Sequence, residues 1–199
     1  METPKTLALA SAVLLTGVLA GCNGQGGLEQ TYGDVADQDY FSSDGAFSFV
    51  AAANRQGSLE FSGELDIEGS WNSADYAGQP IVVNFWFAGC PPCRVEAEDL
   101  EALHREFQAD GVQFIGVNIL DGPETARTFA EEFGVTYPSL MDANNGLVRL
   151  SFAGEASPNA VPTTLVLDRQ HRVAARVNGL ITDVELLETM INDVLAEAP

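Results

Sequence analysis

The chain is poor in basic residues, histidine and cysteine. Its 199 residues include 9 Lys and Arg against 29 Asp and Glu, which gives a formal net charge of −20. Because this charge repels a phosphate backbone, we expect no nucleic-acid partner. Three Cys are too few for a disulfide-stapled scaffold, and a four-ligand zinc site would need nearly all of the three Cys and two His, so we expect no metal and no cofactor. The hydrophobic content of 46% predicts a globular domain.

The first 21 residues have the pattern of a targeting segment. Lys5 supplies a positive start, residues 7–20 are almost continuously apolar, and a Leu-Ala-Gly-Cys tetrapeptide ends at Cys22. This tetrapeptide resembles a bacterial lipobox, in which the cysteine is acylated and becomes the mature N-terminus. The alternative is an ordinary signal peptide that leaves Cys22 as a free thiol. We predict a lipoprotein signal peptide over residues 1–21 and lipidation of Cys22, which anchors the protein at the extracytoplasmic face of the bacterial cell membrane.

Residues 22–46 are predicted to form a flexible, lipid-anchored linker. They are rich in Gly, Asp, Ser and Gln and contain few aliphatic residues. A segment of this composition cannot bury enough apolar surface to order itself. The folded domain is therefore predicted over residues 47–199.

Strand patterns recur along this domain. Apolar residues alternate over residues 47–67, which predicts short antiparallel strands. Residues 81–87 are apolar at nearly every position and predict a central strand that is buried on both faces. A second buried strand is predicted at 112–119, and a closing hairpin joins 161–167 to 173–177.

Helical spacing separates these strands. Residues 92–110 carry apolar side chains at helical intervals. A second helix begins after the potential N-cap at Asp121, and Thr182 is predicted to cap a terminal helix. The order of elements predicts an α/β fold with a mixed central sheet, helices on both faces and extra short N-terminal strands.

Cys90 and Cys93 form a Cys-Pro-Pro-Cys segment where the central strand ends and a helix begins. A thiol at Cys90 meets unsatisfied backbone N–H groups and the positive end of the helix dipole, which favour its thiolate. Cys93 lies one turn further on, under the surface. The alternatives are half of a zinc site, for which further cysteine ligands are missing, and a structural disulfide, which over so short a loop adds little stability. We predict a redox couple with Cys90 as the exposed nucleophile.

The domain resembles the TlpA/ResA type of membrane-anchored thiol-disulfide oxidoreductases, in the redoxin group of the thioredoxin superfamily. The resemblance covers about residues 47–196 and implies a thioredoxin-like fold with activity on protein disulfides. It also implies apocytochrome c as a leading substrate and a membrane thiol carrier that recharges the dithiol. It rests on Val83-Asn84-Phe85-Trp86, Cys90-Pro91-Pro92-Cys93-Arg94, Gly116-Val117-Asn118, Tyr137-Pro138, Asp142 and Val161-Pro162-Thr163-Thr164.

Pro162 is the position that matches the cis-proline of this family, which faces the dithiol. The alternative is an ordinary trans proline that opens a strand. The cis form costs little before proline, and it lets the backbone of Val161 pair with an extended substrate. The resemblance thus implies substrate contacts at Trp86, Pro91, Pro92, Val161 and Thr163.

Glu96 matches the acidic residue that follows the dithiol in ResA-like members. A carboxylate near a buried thiol can accept its proton and later return it. The alternative is an exposed first-turn glutamate, a role that Glu98 and Asp99 fill equally well. Asn84 stands where many thioredoxins have a buried Asp, which leaves Glu96 as the remaining candidate for proton transfer.

Two other function classes stay open. One is a peroxidase-like redoxin that uses Cys90 as the peroxidatic thiol, and the other is a lipoprotein binding module with an inert cysteine pair. The spacing favours the oxidoreductase, since a peroxidatic cysteine usually lies in a loop and resolves with a distant partner. His104 and His171 are predicted to be solvent-exposed, Trp86 to lie in the core, and Trp71 to lie beside Tyr76.

Overall fold

The computed structural model describes residues 38–154 and 160–197. The predicted signal peptide, the lipidation at Cys22 and most of the predicted linker lie outside the described residues. Within the two described ranges, no helix has both the length and the apolar character needed to span a bilayer.

A mixed sheet forms the centre of the domain. The described residues contain nine strands: β1 (Tyr40–Phe41), β2 (Phe47–Phe49), β3 (Ser62–Glu64), β4 (Ser70–Asn72), β5 (Ile81–Trp86), β6 (Gln113–Asn118), β7 (Ser139–Met141), β8 (Thr163–Leu167) and β9 (Val173–Asn178). Seven of them form one sheet in the order β1-β2-β9-β8-β5-β6-β7, while β3 and β4 form a separate hairpin. Strand β5 pairs in parallel with β6 and antiparallel with β8, so the predicted mixed sheet is confirmed.

Helices cover both faces of this sheet, as predicted. They are α1 (Pro91–Phe107), α2 (Pro123–Phe133), α3 (Leu147–Ser151) and α4 (Val184–Ala196). Apolar side chains of α1 and α4 share one core on one face, and α1 also packs with α2. The short helix α3 and the β3–β4 hairpin contribute Val148 and Trp71 to the core on the opposite face.

Strand β5 is apolar because it lies in the middle of the sheet between two cores. All six of its residues are buried. Ile81, Val83 and Phe85 point to one core, and Val82 points to the other. Each large apolar side chain buried in this way contributes about 1.5–3 kcal/mol. This burial fixes the strand whose C-terminal end carries the dithiol.

The linker prediction is wrong at its C-terminal end. Tyr40 and Phe41 lie inside the predicted linker, yet they form β1 and pair with β2. The ring of Tyr40 stacks on that of Phe47 with centroids 5.4 Å apart, which supplies apolar contact to an otherwise polar segment. The folded domain therefore includes residues before 47.

The helix starts also differ from the sequence prediction. Helix α2 has Gly122 as its N-cap, and the side chain of Asp121 instead accepts a 2.6 Å hydrogen bond from the backbone N–H of Ala88. Thr182 is not the cap of α4, because Asp183 accepts from Leu186 N–H at 3.0 Å. Both assignments fail by one residue. At α4 the neighbouring polar residue Asp183 provides the cap, whereas at α2 the N-cap Gly122 makes no side-chain cap hydrogen bond.

The histidines are less exposed than predicted. His171 is buried in the β8–β9 turn with a φ of 56°, and its Nε2 lies 3.2 Å from the carbonyl oxygen of Tyr76. His104 is half-buried, with its ring against that of Tyr137. Trp71 stacks on Tyr76 at a centroid distance of 5.0 Å, as predicted.

Candidate active site

Cys90 and Cys93 are joined by a disulfide at the N-terminus of α1. Their Cα atoms are 5.3 Å apart. Cys90 is the N-cap residue, and its sulfur accepts a 3.3 Å hydrogen bond from the backbone N–H of Cys93. The predicted exposure of Cys90 is wrong for this oxidised form, because both cysteines are at most 3% exposed in an apolar cluster that includes Trp86 and contacts Val161.

Local hydrogen bonds fix the segment between β5 and α1. The N–H of Cys90 donates to the carbonyl of Phe87 at 3.1 Å, and the N–H of Ala88 donates to the side chain of Asp121. Pro91 and Pro92 occupy the first two helical positions, where an N–H has no intrahelical acceptor. The two prolines therefore start the helix without losing a hydrogen bond.

The loop before β8 approaches the same cluster. The Val161–Pro162 peptide bond is cis, which confirms the prediction for Pro162. Val161 packs against the cluster that contains both cysteines. The carbonyl of Pro162 accepts a 2.9 Å hydrogen bond from Gly179 N–H, and Thr163 Oγ1 donates to the carbonyl of Ala160 at 2.6 Å. These two hydrogen bonds thus hold the loop in place.

The five residues predicted to contact substrate fall into two groups. Trp86 and Thr163 are 6% and 1% exposed, so the structure does not support substrate contact by their side chains. Burial arises because Trp86 is the last residue of β5 and Thr163 the first of β8, within the paired sheet. Pro91 is exposed, and Pro92 and Val161 are half-buried beside the disulfide.

Trp86 instead bridges the helices and the sheet. Its Nε1–H donates to Ser139 Oγ at 3.1 Å, and its ring lies 4.4 Å from that of Phe129. This agrees with the prediction that Trp86 belongs to the core near the site. Ser139 begins β7, an element that the sequence analysis did not identify.

Glu96 is buried, so the alternative of an exposed first-turn glutamate is wrong. It is 1% exposed and lies one turn after Cys93 in α1. Its Oε1 accepts from Asn84 Nδ2 at 2.9 Å, and its Oε2 accepts from the backbone N–H of Ile181 at 3.1 Å. Burial raises the pKa of Glu96 to about 7; the bonds from Ile181 and Asn84 oppose this shift and the charge of Asp99 adds to it.

A pKa near neutrality suits an acid-base group that must take up and release protons at physiological pH. Asn84 also donates to Thr164 Oγ1 at 3.0 Å, so a buried chain of hydrogen bonds runs from β8 through β5 to α1. The sequence analysis did not assign a role to Thr164. A signal was present at Asn84, which is a polar amide within the otherwise apolar strand β5, whereas Thr164 is one of two threonines in β8.

A small cavity lies beside Cys93. Its volume is about 10 Å³, which is about the space that one water molecule needs. The polar side chains in its wall include Asn84, Tyr137 and Ser139. Burial raises the pKa of Tyr137 beyond its ordinary range, and the nearby carboxyl groups act in the same direction, so its hydroxyl stays neutral.

A disulfide at a helix N-terminus, with a cis-proline loop whose Val161 packs against the same apolar cluster, defines a thiol-disulfide oxidoreductase site. The chain belongs to the AhpC/TSA family, whose model matches residues 56–176.

Individual proteins support this class. The chain is 29% identical over 122 residues to the thiol-disulfide oxidoreductase ResA of Geobacillus thermodenitrificans, which covers 61% of this chain and 67% of that protein. It is 34% identical over 133 residues to the thiol:disulfide interchange protein HelX of Rhodobacter capsulatus, which covers 66% and 70%. A secreted thiol-disulfide isomerase from Corynebacterium glutamicum superposes with a TM-score of 0.68 and 31% identity, over 78% of this chain and 96% of that chain. About a third of each of the first two proteins lies outside the match.

These likenesses confirm the predicted ResA-type resemblance and the thioredoxin-like fold. They identify the chain as an oxidoreductase of the thiol-disulfide class.

Proposed function

We propose that this protein is a lipid-anchored oxidoreductase at the extracytoplasmic membrane face, where it exchanges disulfides with partner proteins through Cys90 and Cys93. The single observation that carries the proposal is a disulfide at the start of α1 that is followed, one helical turn after Cys93, by the buried carboxyl group of Glu96. Anchoring follows from the lipobox resemblance at Cys22. Apocytochrome c is the substrate that the family resemblance implies, with a membrane thiol carrier as the source of reducing equivalents.

In the reducing direction, the Cys90 thiolate attacks one sulfur of a substrate disulfide. A new bond forms between Cys90 and that sulfur, and the other substrate sulfur leaves as a thiolate. The thiol of Cys93 then loses its proton and attacks Cys90, which breaks the mixed disulfide and releases the second substrate sulfur. The protein dithiol is oxidised to a disulfide, and the substrate disulfide is reduced to two thiols.

Glu96 supplies the acid-base step in this cycle. Cys93 lies under the surface and reacts only as a thiolate, so its proton needs an acceptor within the protein. The carboxylate of Glu96, one helical turn away, accepts that proton during resolution. It returns the proton to Cys93 when the carrier reduces the disulfide.

Turnover assays on the full-length protein distinguish the three function classes. We expect reduction of insulin disulfides in the presence of dithiothreitol, and we expect this activity to be lost in Cys90→Ser. Consumption of hydrogen peroxide without insulin reduction would instead identify a peroxidase-like redoxin. The absence of both activities in a protein whose disulfide is fully reducible would support a binding module.

A further inference from the structure

Asn84 interrupts the apolar strand β5 at a position that is 5% exposed. A buried amide is costly unless its polar atoms are hydrogen-bonded. Its Nδ2 uses both protons, one on Glu96 Oε1 at 2.9 Å and one on Thr164 Oγ1 at 3.0 Å. The β5–β8 register places Asn84 directly opposite Thr164, so the sheet itself holds the two side chains together.

We propose that Asn84, held by Thr164, is a positioning residue that orients the carboxyl group of Glu96 and sets the pH at which this group exchanges its proton. The inference rests on the proposed function only for its catalytic consequence. The Asn84 amide and the Thr164 hydroxyl, both on the sheet, orient the Glu96 carboxyl group on α1 whatever the part of Glu96 in catalysis.

The two oxygens of Glu96 have different kinds of partner. Oε2 accepts from the backbone N–H of Ile181, which the fold fixes. Oε1 accepts from the side chain of Asn84, which a substitution can remove. A hydrogen bond donated to a carboxylate favours its ionised form. Without the Asn84 donor, burial would be opposed only by the Ile181 bond, and Glu96 would stay protonated to a higher pH.

The other charged and titratable groups around Glu96 cannot take this role. Asp99, on the same helix, carries a like charge and disfavours ionisation. The Tyr137 hydroxyl stays neutral, and Cys93 is the group with which Glu96 exchanges protons. In the loop before α4, the carboxylate of Asp183 accepts the N-cap hydrogen bond from the backbone N–H of Leu186. Strands β5 and β8 face Glu96 with Asn84 and Thr164, which are neutral at every pH.

An amide paired with a hydroxyl can serve both protonation states of Glu96. In the arrangement observed, Nδ2 donates to Oε1, which suits a carboxylate. After protonation, the amide can turn over so that its Oδ1 accepts the O–H of Glu96. Thr164 then donates to the same Oδ1 instead of accepting from Nδ2. The neutral bond from Glu96 to Oδ1 is weaker than the bond donated to the carboxylate, so the net effect of Asn84 is to favour the ionised form. An aspartate at position 84 would add a second acid to the buried site, and the two groups would titrate as a coupled pair.

The test measures the titration of Glu96 directly, in the oxidised full-length protein. Infrared spectra of protein labelled with ¹³C-glutamate follow the carboxyl band from pH 4 to 9, and Glu96→Gln identifies the band. We expect Asn84→Leu to move the midpoint upward by about one pH unit, because a donor to the carboxylate is lost. Thr164→Val should move it in the same direction by less, whereas Thr164→Ser, which keeps the hydroxyl, should match the wild type.

An unchanged midpoint in both Asn84→Leu and Thr164→Val would overturn the inference. If Asn84→Leu does not fold, the matched pair at Thr164 decides alone. The pH dependence of mixed-disulfide resolution separates this inference from the proposed function. A midpoint that moves while the rate profile stays fixed supports the positioning role and refutes proton transfer by Glu96.

Discussion

The backbone N–H of Cys93 points at the sulfur of Cys90, 3.3 Å away. A donor at the start of α1 therefore lies against one sulfur of the couple. In the reduced protein, this N–H and the helix dipole favour the thiolate of Cys90. The other sulfur is that of Cys93, which precedes the buried Glu96 by one helical turn. The two cysteines thus have separate roles in the exchange reaction.

The first prediction follows from this asymmetry. Cys93→Ser should keep rapid alkylation at Cys90 and accumulate covalent complexes with partner proteins in vivo, because no resolving thiol remains to release them. Cys90→Ser should alkylate slowly and trap no partner. Non-reducing electrophoresis and alkylation rates measure both effects. Trapping by Cys90→Ser, or a lower thiol pKa at Cys93, would reverse the assignment.

The second prediction concerns the pH dependence of resolution. Glu96→Gln keeps the shape of the side chain but cannot accept a proton, so it should slow resolution at neutral pH by about 10²–10⁴-fold. The inflection near pH 7 should also disappear from the rate profile, since the pKa of Glu96 is raised to about 7. Stopped-flow measurements on preformed mixed disulfide test this. Glu98→Gln, on the exposed side of α1, is the matched control and should leave the profile unchanged.

The sheet and the dithiol could be predicted from the sequence because their signals are local. Strand β5 is a continuous apolar run, and Cys90 follows it directly at the start of a helix. The burial of Glu96 could not be read in this way. Its Oε2 partner, Ile181, lies 85 positions further along the chain, and only the packing of α1 against the loop before α4 brings them together.

Short elements escaped prediction for a different reason. Strand β7 has three residues and helix α3 has five, which is too short for a periodic pattern to emerge. The network of Asn84 and Thr164 depends on the antiparallel register of β5 and β8, and a single sequence does not specify that register.

The third prediction concerns the lipid anchor. Cys22→Ser removes the acylation site, so the protein should be released from membranes while its thiol-exchange rate stays unchanged. Carbonate washing of membranes followed by immunoblotting measures the first effect, and insulin reduction measures the second. A variant that remains membrane-bound through the wash would contradict lipidation at this residue.

The fourth prediction concerns a buried ion pair far from the dithiol. Arg55 Nη1 lies 3.1 Å from Asp168 Oδ2, and both side chains are fully buried. Burial raises the pKa of Asp168, but hydrogen bonds from Arg172 and Arg55 outweigh it and hold the pKa below its ordinary value. Asp168→Asn should lower the free energy of unfolding by about 3 kcal/mol at pH 7, because it leaves the buried Arg55 with only the partly exposed carboxylate of Glu197 as an ionic partner.

The wild-type protein should lose part of this stabilisation in acid. The stabilisation from Asp168 is present above the unfolded pKa of about 4 and is lost as pH falls through the lower folded pKa. Denaturant titrations at pH 7 and pH 3 measure this difference. The exposed pair of Arg94 and Glu132 provides the control, since Glu132→Gln should change stability by about 1 kcal/mol or less. Equal losses in the two variants would rule out a special contribution from the buried pair.

The fifth prediction links the buried carboxyl group to stability. The pKa of Glu96 is about 7 in the folded protein and about 4.3 in an unfolded chain. Between these values the folded state holds a proton that the unfolded state releases, so the free energy of unfolding falls as pH rises through this window. The stabilisation is complete below the unfolded pKa, is lost as pH rises toward the folded pKa, and is absent above it; the total loss is about 4 kcal/mol, of which about 3 kcal/mol falls between pH 4.5 and pH 8. Glu96→Gln has no charge to bury and should not show this loss.

Urea denaturation at pH 4.5 and pH 8 should therefore show the Glu96→Gln variant gaining about 3 kcal/mol over the wild type between the two conditions, while Glu98→Gln follows the wild type. Parallel pH dependence in the wild type and Glu96→Gln would mean that the carboxyl group is ionised in the folded protein well below neutral pH, and Glu96 would then lack the proton affinity that its role in resolution requires.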